Sequence, residues 1–203
     1  MICPVCSTTT EELFHIVKYE IPYWKCSNCD LVFCKPIPKN IILTDNNSPE
    51  ERNNNSLYST RLKRMLNECK NIQTVLDFGC GTGQFVEFLK LKNINAVGID
   101  QNTKLTLNNI DMKVDTVTMV ESIEHLYDPI PIIEKLYQLL NVNGIFYIES
   151  SFVDFLDNLK YCSYVDPRIG HCSINSVKSI KYIANKFNMK IKWINNNVVI
   201  LKK

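Results

Sequence analysis

The chain has 203 residues, enough for one α/β domain with a small appendage but not for two large domains. Hydrophobic residues make up 45% and charged residues 22%, an ordinary globular mix, and a formal net charge of +2 does not by itself argue for a nucleic-acid or membrane partner. No apolar run approaches bilayer length and the opening Met-Ile-Cys-Pro lacks a signal-peptide pattern, so a cytoplasmic protein with no membrane association is expected.

The first segment carries Cys3-Pro-Val-Cys6 and Cys26-Ser-Asn-Cys29, two pairs separated by nineteen residues. Nine cysteines cannot all pair as disulfides within the chain, and in a reducing compartment clustered thiols are better explained by a metal. Four thiolates at this spacing match a structural tetrahedral Zn2+ site, with Cys3, Cys6, Cys26 and Cys29 as ligands. So small a segment cannot bury enough core to fold unaided, and zinc binding would supply roughly 10 kcal/mol. Residues 1–36 are therefore read as a zinc-binding module with strand character over 14–19 and 23–25. Its Tyr19, Tyr23, Trp24 and Phe33 could stack on a base or sugar, although packing around the zinc is the simpler use of most of them. The other cysteines (Cys34, Cys69, Cys80, Cys162 and Cys172) read as small buried hydrophobes.

Residues 37–56 are Pro-, Asn-, Asp- and Ser-rich and read as a linker to a second domain, residues 57–203. That domain opens with a helix over 57–70 and then alternates. Strands are expected at 74–78, 96–99, 116–120 and 145–148, and a helix at 84–91. A second helix opens at Asp128-Pro129, carries Ile132, Ile133, Leu136, Leu139 and Leu140 on one face, and stops before Gly144. Val177, Ile180, Ile183, Ala184 and Phe187 mark a late helix, and 189–194 with 198–201 form a terminal hairpin whose last strand is antiparallel. Strands separated by helices imply a Rossmann-like, doubly wound, mainly parallel α/β sheet.

The central motif is Val75-Leu76-Asp77-Phe78-Gly79-Cys80-Gly81-Thr82-Gly83-Gln84-Phe85. A buried strand delivers a glycine turn at its C-terminal end, where open α/β sheets bind ligands. Gln84 stands where a dinucleotide fingerprint needs a third glycine, and the Gly-Lys-Ser/Thr of a phosphate loop is absent. Asp77 would repel a pyrophosphate but suits a ligand carrying an ammonium and a sulfonium, as S-adenosylmethionine does. Asp100 ends the next strand, where it can accept hydrogen bonds from a ribose diol.

These motifs resemble those of class I S-adenosylmethionine-dependent methyltransferases over residues 75–148. VLDFGCGTGQF is similar to the first motif of that family and Val97-Gly98-Ile99-Asp100 to its ribose-binding second motif. Asp115 to Pro129, with Gly170-His171 and Ser176 before the late helix, resembles the branch containing ubiquinone-type and sugar methyltransferases. The resemblance implies that Asp77, Gly79, Cys80, Gly81, Gly83, Asp100, Gln101 and Val120 line the cofactor site. In that family a helix, a third strand and an adenine-reading acid follow the second strand. Here that space holds only Gln101 to Val114, so the helix or the third strand is expected to be truncated.

Methyl transfer is an in-line displacement, and an alcohol acceptor needs a proton acceptor or a metal at hand. Glu124, His125 and His171 are the catalytic candidates, with His125 or His171 as general base. Alternatively Glu121, Glu124, His125 and His171 hold a divalent cation, a pattern resembling that of small-RNA 2′-O-methyltransferases. A third reading has Glu124 and His125 cap a helix and organise the loop. Three functions follow. The first is O-methylation of a sugar, glycan precursor or other small molecule. The second is RNA 2′-O-methylation, supported by Lys178, Lys181, Lys186, Lys190, Lys192, Lys202 and Lys203, a run that also reads as a solvated face. The third is a non-catalytic binding protein on the same fold.

Overall fold

A computed structural model describes residues 1–16, 20–38, 54–101 and 103–203. The chain opens with three short strands, β1 (Glu11–Ile16), β2 (Ile21–Lys25) and β3 (Val32–Cys34). Helix α1 (Asn55–Glu68) leads into β4 (Thr74–Phe78), α2 (Gln84–Leu91) and β5 (Asn95–Ile99). Next come β6 (Val114–Val120), α3 (Pro129–Leu139), β7 (Leu140–Glu149) and β8 (Ser173–Ile174). Helix α4 (Val177–Lys186), β9 (Lys190–Asn195) and β10 (Val198–Lys202) complete the fold.

Six strands form the main sheet in the order β5-β4-β6-β7-β10-β9. The first four run parallel, and β10 is antiparallel to both β7 and β9. Because strand side chains alternate, Leu76, Val117, Met119, Phe146 and Ile148 face one way, onto Ile133, Leu136, Ile180 and Ile183 of α3 and α4. Val75, Ala96, Ile145, Tyr147 and Ile200 face the other way, onto Tyr58 and Met65 of α1 and Phe85 and Phe88 of α2. Both faces are covered, as the expected Rossmann-like arrangement requires.

The structure departs from expectation at the end of the second expected helix and in the expected linker. The helix expected up to Gly144 stops at Leu139; Leu140 begins β7 opposite Val114, and the pairing then jumps to Ile145 opposite Thr116. Asn141 to Gly144 bulge between those pairs, with Asn143 at a φ of +64°. The expected linker contributes its last two residues, Asn55 and Ser56, to α1, while 39–53 and Tyr19 lie outside the described residues. Between β5 and β6 the described residues hold one 3-10 turn (Leu107–Asn109) and no strand, as the shortened spacing anticipated.

A second, antiparallel sheet has the order β1-β2-β3-β8, so its last strand arrives from beyond β7. The Cys26–Cys29 turn joins β2 to β3, closed by Cys26 N–H to Leu31 O (2.9 Å) and Asp30 N–H to Cys26 O (3.0 Å). Ser176, the N-cap of α4, donates its hydroxyl to the Cys29 carbonyl at 2.5 Å. Among the described residues no helix is long and apolar enough to cross a membrane.

Candidate active site and cysteine centre

The glycine loop sits at the C-terminal ends of β4 and β5. Gly79 N–H and Cys80 N–H both donate to Ile99 O (2.8 and 3.1 Å), folding the loop back over the neighbouring strand. Gly79 has a φ of +81°, and a Cβ there would lie 2.5 Å from the Ser122 Cβ. Glycine at 79 therefore lets the loop meet the end of β6, whose last residue is the half-buried Val120. Gly83, the N-cap of α2, directs that helix N-terminus toward the same edge. Gly81 N–H donates to Asp100 Oδ2 at 3.0 Å, tying the loop to the second acid.

Asp77 is buried at 4% exposure beneath this loop and accepts a 2.6 Å hydrogen bond from the Thr118 hydroxyl. Burial pushes its carboxyl up to about 6, against the Thr118 hydrogen bond and the charge of Arg61. Arg61, on α1, donates to both Glu149 oxygens (3.0 and 2.8 Å). Arg61 was not singled out from the sequence, where it reads only as one more position of an amphipathic helix. Gln101 is exposed at the mouth of a cleft of about 350 Å³ walled by Phe78, Ile99, Leu105, Leu107 and Ile132.

Beyond β6 the backbone turns at Glu121, at a φ of +45°, into a 3-10 turn over Ile123–His125. A non-glycine residue in that region stores strain of the kind found at functional sites. Glu124 is completely buried and accepts hydrogen bonds from Tyr164 O–H (2.5 Å, Oε1) and Ser150 O–H (3.2 Å, Oε2). The same Tyr164 hydroxyl lies 3.1 Å from Glu121 Oε2. Burial first, and the charge of Glu124 second, push the Glu121 carboxyl up to about 8.

His171 Nδ1 lies 2.7 Å from the Tyr164 carbonyl. A carbonyl only accepts, so Nδ1 carries the proton and the lone pair of the neutral ring is on Nε2, 3.9 Å from Glu124 Oε1. His125 stands edge-on to His171, with ring centroids 4.8 Å apart, and bonds the backbone of Gly170. A Cβ at residue 170 would sit 2.9 Å from His125 Nδ1, and the backbone there has a φ of +81°, so glycine is needed on both counts. Burial lowers both imidazoles, and the neighbouring His125 helps bring His171 down to about 4. The His171 ring is therefore neutral near pH 7. One ligand atom each from Glu124, His125 and His171 lies within 4.8 Å of the others; Glu121 is reached through Tyr164 instead. Tyr164 was missed in the sequence because nothing in its surrounding loop carries a period or a motif.

The four cysteines named from spacing are drawn together. Cys3 and Cys29 sulfurs lie 3.6 Å apart, Cys6 and Cys26 sulfurs 3.3 Å apart, and all four lie within 4.8 Å of one another. Zinc–thiolate bonds of about 2.3 Å in a tetrahedron separate sulfurs by about 3.8 Å, so this set could hold such an ion. Of the aromatic residues in the module, Tyr23 and Phe33 are completely buried, which makes them packing residues rather than stacking platforms.

Residues 51–192 match a family described as a methyltransferase domain. Two curated plant proteins are similar. "Probable (S)-tetrahydroprotoberberine N-methyltransferase 2" of Papaver bracteatum is 26% identical over 164 residues, 64% of this chain and 46% of that protein. "(S)-tetrahydroprotoberberine N-methyltransferase" of Eschscholzia californica is 24% identical over 214 residues, 89% of this chain and 59% of that protein. The chain thus spans about half the length of these relatives. Among solved structures, a SAM dependent methyltransferase from Archaeoglobus fulgidus shares the fold at a TM-score of 0.55 and 23% identity, over 75% of this chain and 96% of that one.

Proposed function

Because the chain belongs to the methyltransferase-domain family, we propose that it transfers the methyl group of S-adenosylmethionine to a hydroxyl of a sugar, glycan precursor or other small molecule. Asp77 would face the cofactor's ammonium, the glycine loop its amino-acid end, and Asp100 its ribose diol. The cleft lined by Ile99, Leu105, Leu107 and Ile132 offers its base an apolar wall. The Cys3–Cys6–Cys26–Cys29 set is assigned a structural zinc.

The observation that carries the acceptor chemistry is the convergence of Glu124, His125 and His171, one ligand atom of each within 4.8 Å of the others. A base brought down to about 4, as His171 is, takes a hydroxyl proton poorly at pH 7. The same neutral ring, with Nδ1 fixed on a carbonyl and Nε2 free of its proton, is a good metal ligand. We therefore favour a divalent cation at Glu124, His125 and His171, with Glu121 nearby, over a general base. Such an ion lowers the pKa of a bound hydroxyl. Glu124 and the two imidazoles would orient that hydroxyl toward the sulfonium methyl. Bound S-adenosylmethionine would supply the methyl group to that oxygen, with S-adenosylhomocysteine as the leaving product, and the hydroxyl proton would pass to solvent. RNA stays the second reading, since part of the lysine-rich stretch is engaged within the protein: Lys178 pairs with Asp30 (2.7 Å), Lys192 with Glu68 (2.6 Å), and Lys203 with the Leu140 carbonyl (2.9 Å).

Calorimetry tests both halves. S-adenosylhomocysteine should bind the zinc-loaded protein, and Asp100→Ala should weaken that binding at least about tenfold, the cost of about 1.4 kcal/mol. Glu124→Gln should abolish Mn2+ binding while leaving S-adenosylhomocysteine binding in place. No cofactor binding by folded protein would remove the enzyme reading. Cofactor binding without any Mn2+ uptake would turn the assignment toward an amine acceptor, the class printed in the names of the plant relatives.

A further inference from the structure

Three successive residues, His171, Cys172 and Ser173, are held between the cysteine module and Glu124. The Tyr23 hydroxyl, from β2, donates to the His171 carbonyl at 2.7 Å across a separation of 148 residues. Cys34 N–H, from β3, donates to the Cys172 carbonyl at 3.0 Å, and Phe33 pairs with Ser173. From the opposite side, Cys172 N–H donates to the Glu124 carbonyl at 2.9 Å. Tyr23 is 0% exposed, so water cannot take the place of its hydroxyl at the His171 carbonyl.

The hairpin that supplies these contacts has strands of five and three residues joined at the Cys26–Cys29 turn. Two strands of that length are not stable alone. Four thiolates on one ion would fix the turn, and the Ser176 hydroxyl on the Cys29 carbonyl carries the same turn to the start of α4. The segment bearing His171 thus takes its position from the module on one side and gives position to Glu124 on the other.

We infer that the cysteine centre and the Glu124–His125–His171 set are one coupled unit, in which Tyr23 is the positioning residue for His171. This rests on the reading that His171 stands at the reacting edge. The expected consequence of losing the Tyr23 hydroxyl is local. The backbone at His171 loses a support, its Nδ1 bond to the Tyr164 carbonyl loosens, and the ring no longer keeps a single tautomer.

The chain has three histidines, so long-range proton–nitrogen spectra of the imidazoles can follow each one. Wild type and Tyr23→Phe, both full-length and zinc-loaded, would be compared, with zinc content and S-adenosylhomocysteine affinity measured on the same samples. The coupling predicts one zinc per chain in both and cofactor affinity unchanged within about threefold. It also predicts that His171 nitrogen signals move from a single-tautomer to an averaged pattern. Mn2+ affinity should fall about tenfold, the scale on which partners that orient a ligand act. A folded, zinc-loaded Tyr23→Phe protein with unchanged His171 signals overturns the inference, as does a general loss of cofactor binding along with the shift. Should the variant fail to fold, stepwise zinc addition to chelator-treated wild type decides instead. His171 signals moving in step with zinc uphold the coupling, and complete loading without movement overturns it. A wild type that binds no cofactor, yet shows the His171 response, would fault the functional reading and leave this coupling standing.

Discussion

Burial raises the Asp77 carboxyl to about 6 and lowers the His171 imidazole to about 4, so each side chain is drawn toward its neutral form by the same loss of water. For Asp77 the linkage has a definite sign. Its folded value lies above its ordinary one, so its contribution to stability is fully present below about pH 4 and is lost as pH rises toward 6 and beyond. The loss is on the order of 3 kcal/mol by pH 7. A bound ammonium offsets this by stabilising the carboxylate. Cofactor affinity is therefore expected to fall by about tenfold per unit below pH 6, and Asp77→Asn to flatten that dependence, as titration calorimetry at several pH values would show. Asp77 could be picked out in the sequence because a strand, an acid and a glycine turn are contiguous. Tyr164 and Arg61 could not, since their roles come from neighbours far along the chain, Glu124 for one and Glu149 for the other.

Helices and strands were legible wherever burial imposes a period. The four parallel strands and their crossover helices follow from runs such as 74–78 and 84–91. Leu140 shows the limit. It continues the helical spacing of Leu136 and Leu139, yet pairing with Val114 claims it for β7. Tertiary pairing outweighs local propensity there. β8 is too short, at two residues, to show any alternation. At α4 the capping box is local: the Ser176 hydroxyl accepts from Ser179 N–H at 2.9 Å while also donating to Cys29 O. Ser176→Ala should cost about 1–2 kcal/mol, at the upper end for an N-cap because the hydroxyl serves two partners. Thermal unfolding would register this as a fall of a few degrees.

Across the whole molecule, two sheets share the core. Cys3, Cys29 and Leu31 of the cysteine module, with Phe33 of the small sheet, pack in one cluster with Ile180, Ile183 and Phe152. Removing the proposed zinc from the cysteine centre should therefore destabilise more than the first 36 residues. At about 2–4 °C per kcal/mol for a chain of this size, removal of a zinc contributing several kcal/mol should lower the melting temperature by more than about 10 °C. Calorimetric scans with and without chelator measure it, and an unchanged transition would mean that the thiols hold no structural ion. The spacing of the cysteines made the centre legible, whereas its union with the second half of the chain was not, because no sequence pattern marks a contact between residues 29 and 176.

That union also orders events during synthesis. The His171 carbonyl reaches the ribosome exit 148 residues after the Tyr23 hydroxyl that must meet it. At 5–20 residues per second the wait is roughly 7 to 30 seconds. Through that interval the small sheet lacks its fourth strand, β8. Early capture of the right ion would hold the hairpin ready as a template for β8. A chain that met the proposed ion late would instead bring together its two halves and its four thiolates in a single step.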